Sequence, residues 1–387
     1  MKITRIEPVL VGAPTPGVGL LSNRNYFFVK VHTDEGITGL GEATLESHDN
    51  SVLGALKDIE CLVLGEDPTR IEYLTQKMVK QLFWKGGVIK GSAISGVELA
   101  LWDILGKSLN MPVYKLIGGA CRTKIRAYVN GWSGGSLDPA VVRDKAQVAM
   151  AAGYNAFKFS LALPCWQVND PESFKKIRLI SETIRDTVGS EALVMYDGHG
   201  RYDADMAIKI GRMFEELDFF FFEEPCQPED EEGLAKVASR LDIPVATGER
   251  LSFLPEFKRL MTGKCASIIQ PDIGHSCGFG TALKAAHLAE AFNVFVAPHG
   301  PMSPVVTTVS MHLDAVIPNF LIQERLFLND WRNNVITEPI VVKDGYIELN
   351  EKPGWGIELD EELCKAHPPI PSYTPQLIRP DGAVCDW

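Results

Sequence analysis

The 387-residue chain lacks long apolar runs and an excess of positive charge. No apolar run approaches the roughly 18 residues of a membrane span, and the most apolar stretch, residues 218–222, has only the length of a strand. Lys and Arg number 38 against 50 Asp and Glu, which gives a net charge of −12. This balance argues against nucleic acid or an anionic membrane surface as a partner. A small anionic substrate stays possible, because one cationic pocket can lie on an acidic protein.

Paired cysteines and a secretion signal are also missing. The eight cysteines are scattered without a Cys-x-x-Cys pair, so neither a zinc ribbon nor a thioredoxin-type site is indicated. The first residues lack the apolar core of a signal peptide, and we therefore expect a cytoplasmic protein. With 45% apolar and 23% charged residues the composition is that of a globular chain, and its length allows two or three domains.

The first part of the chain has the pattern of an α+β unit, which we place at residues 1–119. Strand patterns are followed by helical ones, and Asp34-Glu35-Gly36 is typical of a turn between two antiparallel strands. The predicted strands are residues 3–11, 26–33 and 37–43, and the predicted helices are residues 51–64, 67–81 and 92–109.

From Lys124 onward, strand and helix patterns alternate. Eight apolar strand-like runs separated by amphipathic stretches predict a parallel (β/α)8-type barrel at residues 120–329, and a modified (β/α)7β form is also possible. Residues 330–387, with short strands and a Pro-rich tail, are predicted to pack back on the first unit. The predicted barrel strands are residues 125–129, 156–159, 192–196, 218–222, 244–246, 267–270, 294–297 and 319–322.

Polar residues end most of these strands, and a barrel enzyme places its catalytic groups at that edge. The spacing between them is about the length of one β/α unit, so successive strands direct their terminal side chains into one mouth. The strand-end residues are Lys158, Ser160, Asp197, His199, Glu223, Glu249, Asp272, His299 and Glu324.

Three of these carboxylates, Asp197, Glu223 and Glu249, follow one another on neighbouring strands. They cannot all ionise in a dry pocket unless a cation neutralises them, and Mg²⁺ prefers such all-oxygen ligation. A single strand-end carboxylate often caps the next helix, but three at equal spacing favour a metal site.

A histidine at the mouth is the candidate base. Asp272 and His299 end neighbouring strands, so a hydrogen bond between them would fix the imidazole tautomer and make His299 a general base. The histidines other than His199 and His299 have no evident partner and are interpreted as structural: His32, His48, His275, His287, His312 and His367. Among them only His275 lies near the mouth.

Several short motifs are spread over the chain: Gly39-Leu40-Gly41-Glu42, Ala100-Leu101-Trp102-Asp103 with Gly106-Lys107, Phe222-Glu223-Glu224-Pro225, Thr247-Gly248-Glu249-Arg250 and Pro353-Gly354-Trp355-Gly356-Ile357. Together with the strand-end residues, they resemble those of the enolase superfamily, mandelate racemase subgroup, over essentially the whole chain. The resemblance implies one Mg²⁺ per subunit on Asp197, Glu223 and Glu249. It also implies removal of the proton α to a substrate carboxylate, an ene-diolate held by the metal, and a homo-oligomer between dimer and octamer.

Within that subgroup the pattern favours a dehydratase. Lys158 matches the first lysine of the racemase Lys-x-Lys pair, expected to contact the substrate carboxylate, but Ser160 replaces the second base. His199, two residues after Asp197, resembles the general acid of the D-galactonate dehydratase group. Glu324 matches the eighth-strand glutamate, expected to hydrogen-bond the carboxylate when protonated.

The expected reaction is therefore elimination from a sugar acid. An aldonate resembling galactonate or gluconate would lose its C2 proton and C3 oxygen, giving a 2-keto-3-deoxy acid. A ring-opening cycloisomerase acting by the same elimination and a one-base epimerase or racemase are the alternatives. A binding or scaffold protein on the same frame is disfavoured, because it predicts loss of a ligand or base.

Ser160 and three further residues are candidate substrate contacts. Arg24 and Trp84 lie in predicted loops at residues 14–25 and 82–91. Trp166 lies in an insertion at residues 161–170, which could instead be an oligomer contact.

Overall fold

The computed structural model describes residues 1–14, 23–161, 163–374 and 376–386. Its first unit, the capping unit, holds a three-stranded antiparallel sheet in the order β1-β2-β3. Three helices follow, and no helix in the described part of the chain is long and apolar enough to cross a membrane. The elements are β1 (Ile3–Gly12), β2 (Asn25–Thr33), β3 (Thr38–Glu42), α1 (Asp49–Val63), α2 (Ile71–Lys80) and α3 (Gly87–Ser108).

Two glycines explain why α3 lies so close to the sheet. A Cβ atom on Gly39 would lie 2.0 Å from the carbonyl oxygen of Ala100, and one on Gly41 would lie 2.1 Å from that of Gly96. A side chain at either position would push the helix away from β3. The Gly39-Leu40-Gly41 motif is therefore a packing requirement.

A parallel barrel follows a short helix, α4 (Val113–Leu116). In the described residues it has eight strands and seven intervening helices, which is the (β/α)7β form. Its strands are β4 (Lys124–Asn130), β5 (Ala156–Phe159), β6 (Leu193–Asp197), β7 (Phe221–Glu223), β8 (Val245–Thr247), β9 (Ile268–Ile269), β10 (Phe295–Val296) and β11 (Gln323–Leu326). Its helices are α5 (Pro139–Ala151), α6 (Pro171–Val188), α7 (Ala204–Glu216), α8 (Glu231–Arg240), α9 (Leu254–Thr262), α10 (Phe279–Ala291) and α11 (Pro304–Val316).

The eighth strand corrects the prediction at residues 319–322. Those apolar residues carry a single parallel bridge, Val296 to Phe320, which closes the ring against β10. The ladder with β4 instead runs through Gln323–Leu326, immediately after them. Apolar composition therefore located the part of the strand that pairs with β10 and missed β11 itself, because the side chains of Gln323, Glu324 and Arg325 are polar although buried.

The C-terminal segment touches both units. Its strand β12 (Tyr346–Glu348) pairs antiparallel with barrel strand β4, and it continues to α12 (Glu361–Ala366). Beyond α12, the carbonyl oxygen of His367 accepts a hydrogen bond from Gly12 N in β1. The unit boundaries at residues 119 and 329 stay predictions.

Buried carboxylates fasten the capping unit to the barrel. Glu98 of α3 accepts hydrogen bonds from the backbone N–H groups of Phe279 and Gly280 at the start of α10, each at 2.8 Å. Glu42 of β3 accepts one from Val306 N at the start of α11, also at 2.8 Å. Because helix N-termini present unpaired N–H groups and a positive dipole end, these contacts fix the unit over the barrel.

A third buried carboxylate, Asp103, ties the C-terminal segment to the same interface. It accepts hydrogen bonds from Leu40 N in β3 and Trp355 N, each at 2.9 Å, and pairs with Lys107 at 2.7 Å. Two polar residues of the quoted motifs, Glu42 and Asp103, thus connect the units.

Candidate active site

The predicted strand-end residues meet at one edge of the barrel. Lys158, Asp197, Glu223 and Glu324 lie within β5, β6, β7 and β11. Glu249, Asp272 and His299 lie in the loops that follow β8, β9 and β10. This edge is the C-terminal mouth, which faces the capping unit.

The three predicted metal ligands form one cluster. Asp197, Glu223 and Glu249 each offer a carboxylate oxygen, and these oxygens lie within 4.8 Å of one another. Oε2 of Glu223 and Oε2 of Glu249 are buried and accept no hydrogen bond from the residues that the structure describes. Burial, followed by neighbouring carboxylates, raises the pKa of both glutamic acids well above the ordinary value. A hard cation fits this set, because it would supply the missing partner for both oxygens.

Lys158 is completely buried beside the cluster. Its Nζ lies 2.7 Å from Oε1 of Glu223, 2.9 Å from Oε1 of Glu324 and 3.4 Å from Oδ2 of Asp197. Burial lowers the pKa of this amine, but the charges of Glu223 and Glu324 outweigh burial and hold it well above its usual range. Lys158 is therefore a fixed positive charge among the carboxylates, and its predicted contact with a substrate carboxylate stays a prediction.

His299 and Asp272 form the hydrogen-bonded pair that the sequence suggested. Nδ1 of His299 lies 2.6 Å from Oδ2 of Asp272, so a carboxylate fixes that nitrogen as the donor. Burial alone lowers the pKa of His299, but the charge of Glu324 and the hydrogen bond to Asp272 raise it to about 9. Nε2 of the same ring lies 3.5 Å from Oε2 of Glu249, beside the carboxylate cluster. Because Asp272 holds the hydrogen on Nδ1, Nε2 is the nitrogen that can accept a proton when the ring is neutral, which a pKa of about 9 places in alkaline solution.

A second histidine touches the cluster from another strand. Nε2 of His199 lies 3.0 Å from Oδ2 of Asp197, and its backbone N–H donates to Oδ1 of the same residue at 2.9 Å. Burial raises the pKa of Asp197, but the charges of His199 and Lys158 hold it well below its ordinary value. Ser160 Oγ lies 3.4 Å from Nδ1 of His199.

Sequence reasoning missed Arg201 and Asn130. The guanidinium of Arg201 lies 3.0 Å from Nδ1 of His199, and the Asn130 amide donates to Oε1 of Glu324 at 2.7 Å. Burial raises the pKa of Glu324, but Lys158 and His299 lower it below its ordinary value. These partners favour the ionised form of Glu324 over the protonated form that the resemblance implied. The position of Arg201 directly after Asp197-Gly-His-Gly was the available signal.

A cavity of about 540 Å³ lies at this mouth, between the barrel and the capping unit. Among its lining residues are Ser160, Asp197, His199, Glu249 and His299, together with Arg24 from the capping unit. Arg24 is buried and donates to the carbonyl oxygen of Pro301 at 3.0 Å.

The two predicted tryptophan contacts lie elsewhere. Within the described residues, the cavity lining includes neither Trp84, which is 80% exposed, nor Trp166, which is 45% exposed and lies under the guanidinium of Arg379. Their roles stay predictions, and residues 15–22 and 162 of the predicted loops lie outside the described residues.

A (β/α)7β barrel whose mouth carries two histidines and three clustered carboxylates that could hold a metal ion has the architecture of a barrel enzyme. Comparison with known families specifies it further. Residues 141–363 match the family described as Enolase C-terminal domain-like, and residues 6–118 match the Mandelate racemase / muconate lactonizing enzyme N-terminal domain. The chain belongs to the enolase superfamily.

Full-length relatives agree with this assignment. The D-galactonate dehydratase of Pectobacterium atrosepticum is 34% identical, covering 94% of this chain and 96% of its own, and that of Xanthomonas campestris pv. campestris is 35% identical over the whole of both chains. The structure of a candidate galactarate dehydratase from Agrobacterium radiobacter, with Na and L-malate bound, is similar with a TM-score of 0.88, 32% identity and complete coverage of both chains. The protein is accordingly a carbon–oxygen lyase of the dehydratase type.

Proposed function

We propose that the protein is a Mg²⁺-dependent acid-sugar dehydratase. It would remove the proton at C2 of an aldonate and expel the C3 oxygen as water, giving a 2-keto-3-deoxy sugar acid. The relatives named D-galactonate dehydratase and the candidate galactarate dehydratase support the substrate class. Galactonate and gluconate are the first aldonates to test.

The observation that carries the proposal is the placement of two imidazoles at different sides of one carboxylate cluster. His299 approaches Glu249 at 3.5 Å, and His199 approaches Asp197 at 3.0 Å. Their strands, β10 and β6, are four positions apart among the eight barrel strands, so the two histidines come from opposite sides of the mouth. Elimination needs a proton acceptor at C2 and a proton donor at C3, and this arrangement supplies both.

Asp197, Glu223 and Glu249 would hold the Mg²⁺. The unpaired oxygens of the two glutamates and the close approach of all three carboxylates support that assignment. When bound, the ion would stabilise negative charge that develops on the substrate carboxylate as C2 loses its proton.

The protein's own residues would perform the proton transfers. His299, with Nδ1–H donated to Asp272, takes the C2 proton at Nε2. His199 gives the hydrogen on its Nε2 to the leaving C3 oxygen. The C2–H and C3–O bonds break, a C2=C3 double bond forms and water departs. The resulting enol then gains a proton at C3 from solvent and loses the proton of its C2 hydroxyl to solvent, which gives the ketone. Lys158 offsets the negative charge of the site throughout.

Incubation with galactonate, gluconate and other aldonates in D₂O with Mg²⁺ tests the proposal. Formation of a 2-keto-3-deoxy acid, followed by NMR, is expected, with the His299→Asn variant inactive. Exchange of the C2 proton without a keto product would exclude elimination and favour the epimerase alternative.

The proposed homo-oligomer is tested separately by light scattering of the eluted peak in size-exclusion chromatography.

A further inference from the structure

Asp272 contacts two histidines. Its Oδ2 lies 2.6 Å from Nδ1 of His299 and 3.7 Å from Nε2 of His275. Asp272 is completely buried and His275 is 5% exposed, and His275 also lines the cavity. Burial raises the pKa of Asp272, but the charge of His275 and the hydrogen bond with His299 bring it below its ordinary value. A second imidazole therefore lies beside the carboxylate that orients the base.

The orientation of His275 is set by the capping unit. Ser92 Oγ, on α3, lies 3.0 Å from Nδ1 of His275 and 2.9 Å from the carbonyl oxygen of Val88. A carbonyl oxygen only accepts, so the single hydroxyl hydrogen of Ser92 goes to Val88. Oγ must then accept from Nδ1–H of His275. This leaves Nε2 as the nitrogen that faces Asp272.

The backbone of the same loop is also pressed against α3. A Cβ atom on Gly91 would lie 2.3 Å from the carbonyl oxygen of His275, so only glycine allows this approach. The backbone N–H of His275 in turn donates to the carbonyl oxygen of Asp272. Helix α3 therefore contacts His275 through both its ring and its main chain.

We propose that His275 is a positioning residue for the base His299, acting through Asp272, and that Ser92 makes this positioning depend on the docked capping unit. With Nδ1–H given to Ser92, Nε2 is the ring nitrogen that is held toward Asp272, at 3.7 Å from its Oδ2. The kinetic part of this proposal rests on the proposed dehydratase function, whereas the geometric part does not need a substrate.

Two amide variants separate the two ring nitrogens of His275. His275→Gln places an amide nitrogen near the position of Nε2 and keeps a donor toward Asp272. His275→Asn keeps a donor toward Ser92 and removes the group that faces Asp272. We expect His275→Asn to lower kcat about tenfold with little change in KM, and His275→Gln to restore most of that loss. Equal activity of wild type and His275→Asn would overturn the proposal.

Ser92 and Ser95 provide a matched pair on one helix. Both are buried in α3, but Ser95 Oγ has no hydrogen-bond partner among the described residues. Ser92→Ala is expected to lower kcat a few-fold, whereas Ser95→Ala should leave kcat unchanged. The double variant of Ser92→Ala and His275→Asn should have a kcat no lower than that of His275→Asn alone. Additive losses, or an equal loss in Ser95→Ala, would contradict the link to the capping unit.

NMR of selectively ¹⁵N-histidine-labelled protein reads the geometry without substrate. The Nδ1–H proton of His299, shared with Asp272, is expected far downfield and is assigned by its loss in His299→Asn. It should shift in His275→Asn and Ser92→Ala and stay in place in Ser95→Ala. An unshifted proton in both test variants would overturn the positioning role even if no sugar acid is turned over, whereas a shift without any turnover would reject only the proposed function.

Discussion

The guanidinium of Arg201 donates to Nδ1 of His199 at 3.0 Å. Because a guanidinium has no acceptor, Nδ1 must be the acceptor, and the ring hydrogen lies on Nε2, which faces Asp197. The same guanidinium donates to the carbonyl oxygen of Leu161 at 2.8 Å, which fixes its own position. Arg201 therefore sets which nitrogen of His199 can give a proton.

Replacing Arg201 by methionine removes this control while keeping a long side chain. We expect elimination to slow about a hundredfold, the usual scale of acid catalysis, whereas exchange of the C2 proton in D₂O changes little because His299 is untouched. Both rates are measured by NMR on one sample. The double variant with His199→Asn is expected to lose no more than His199→Asn alone, and a parallel fall of exchange and elimination would argue against a specific effect on His199.

Magnesium is expected to stabilise the fold as well as support turnover. An ion that binds only the folded state at a hundred times its Kd adds about 2.7 kcal/mol to the free energy of unfolding. Treatment with EDTA should abolish activity and lower Tm, and Mg²⁺ should restore both. Glu249→Gln should lose this response in differential scanning fluorimetry, whereas Glu229→Gln, at the same cavity but outside the cluster, should keep it. If Mg²⁺ does not change the Tm of the unaltered protein, that result would count against the metal site.

Glu98 is expected to matter for stability rather than for chemistry. Glu98→Ala leaves the N–H groups of Phe279 and Gly280 and the indole N–H of Trp102 without their acceptor. Loss of this buried acceptor leaves three donors unsatisfied and predicts a fall of about 3 kcal/mol or more in the free energy of unfolding, measured with urea. Glu290→Ala, at an exposed site of α10, is the control and should change it by less than about 0.5 kcal/mol.

His312 predicts a stability that declines in acid. It is buried, accepts from Tyr114 N at 3.1 Å and lies 3.2 Å from the carbonyl oxygen of Trp355, and burial lowers its pKa from 6.5 to about 4. As pH falls from about 6.5 to about 4, the unfolded chain binds the proton first, so up to about 3 kcal/mol of stability is lost.

The test of this effect compares wild type with His312→Asn, which can still accept from Tyr114. Urea unfolding at about pH 7.5 and about pH 5, at fixed Mg²⁺, should show a smaller acid loss in the variant. The comparison needs the difference between the two proteins, because burial raises the pKa values of Glu42 and Glu98 to about 7 and these groups act in the opposite sense. Equal slopes would show that His312 does not contribute.

Much of the fold was accessible from the sequence, because the alternation of strands and helices is a local pattern. That pattern also placed Asp197, Glu223 and Glu249 at one edge, and the structure brings their oxygens together. The hydrogen bond between Asp272 and His299 followed from the same rule. The catalytic and ligand roles of these residues stay predictions.

What the sequence did not show depends on partners distant along the chain. Glu98 and Phe279, or Ser92 and His275, have no common motif, and only the packing of two units brings them together. The spacing of residues along the sequence also does not show in which direction a side chain points. Trp84 was expected at the cavity for its loop position, but lies exposed to solvent.

The carboxylate joints between the units have a consequence for synthesis on the ribosome. Glu42 is bonded to the backbone of Val306, which is 264 residues later in the chain. At roughly 5 to 20 residues per second, its partner emerges about 15 to 50 s after it. During that interval Glu42 of the nascent capping unit lacks the helix N-terminus that it contacts in the folded protein. Completion of the N-terminal part of the molecule therefore waits for translation of its C-terminal third.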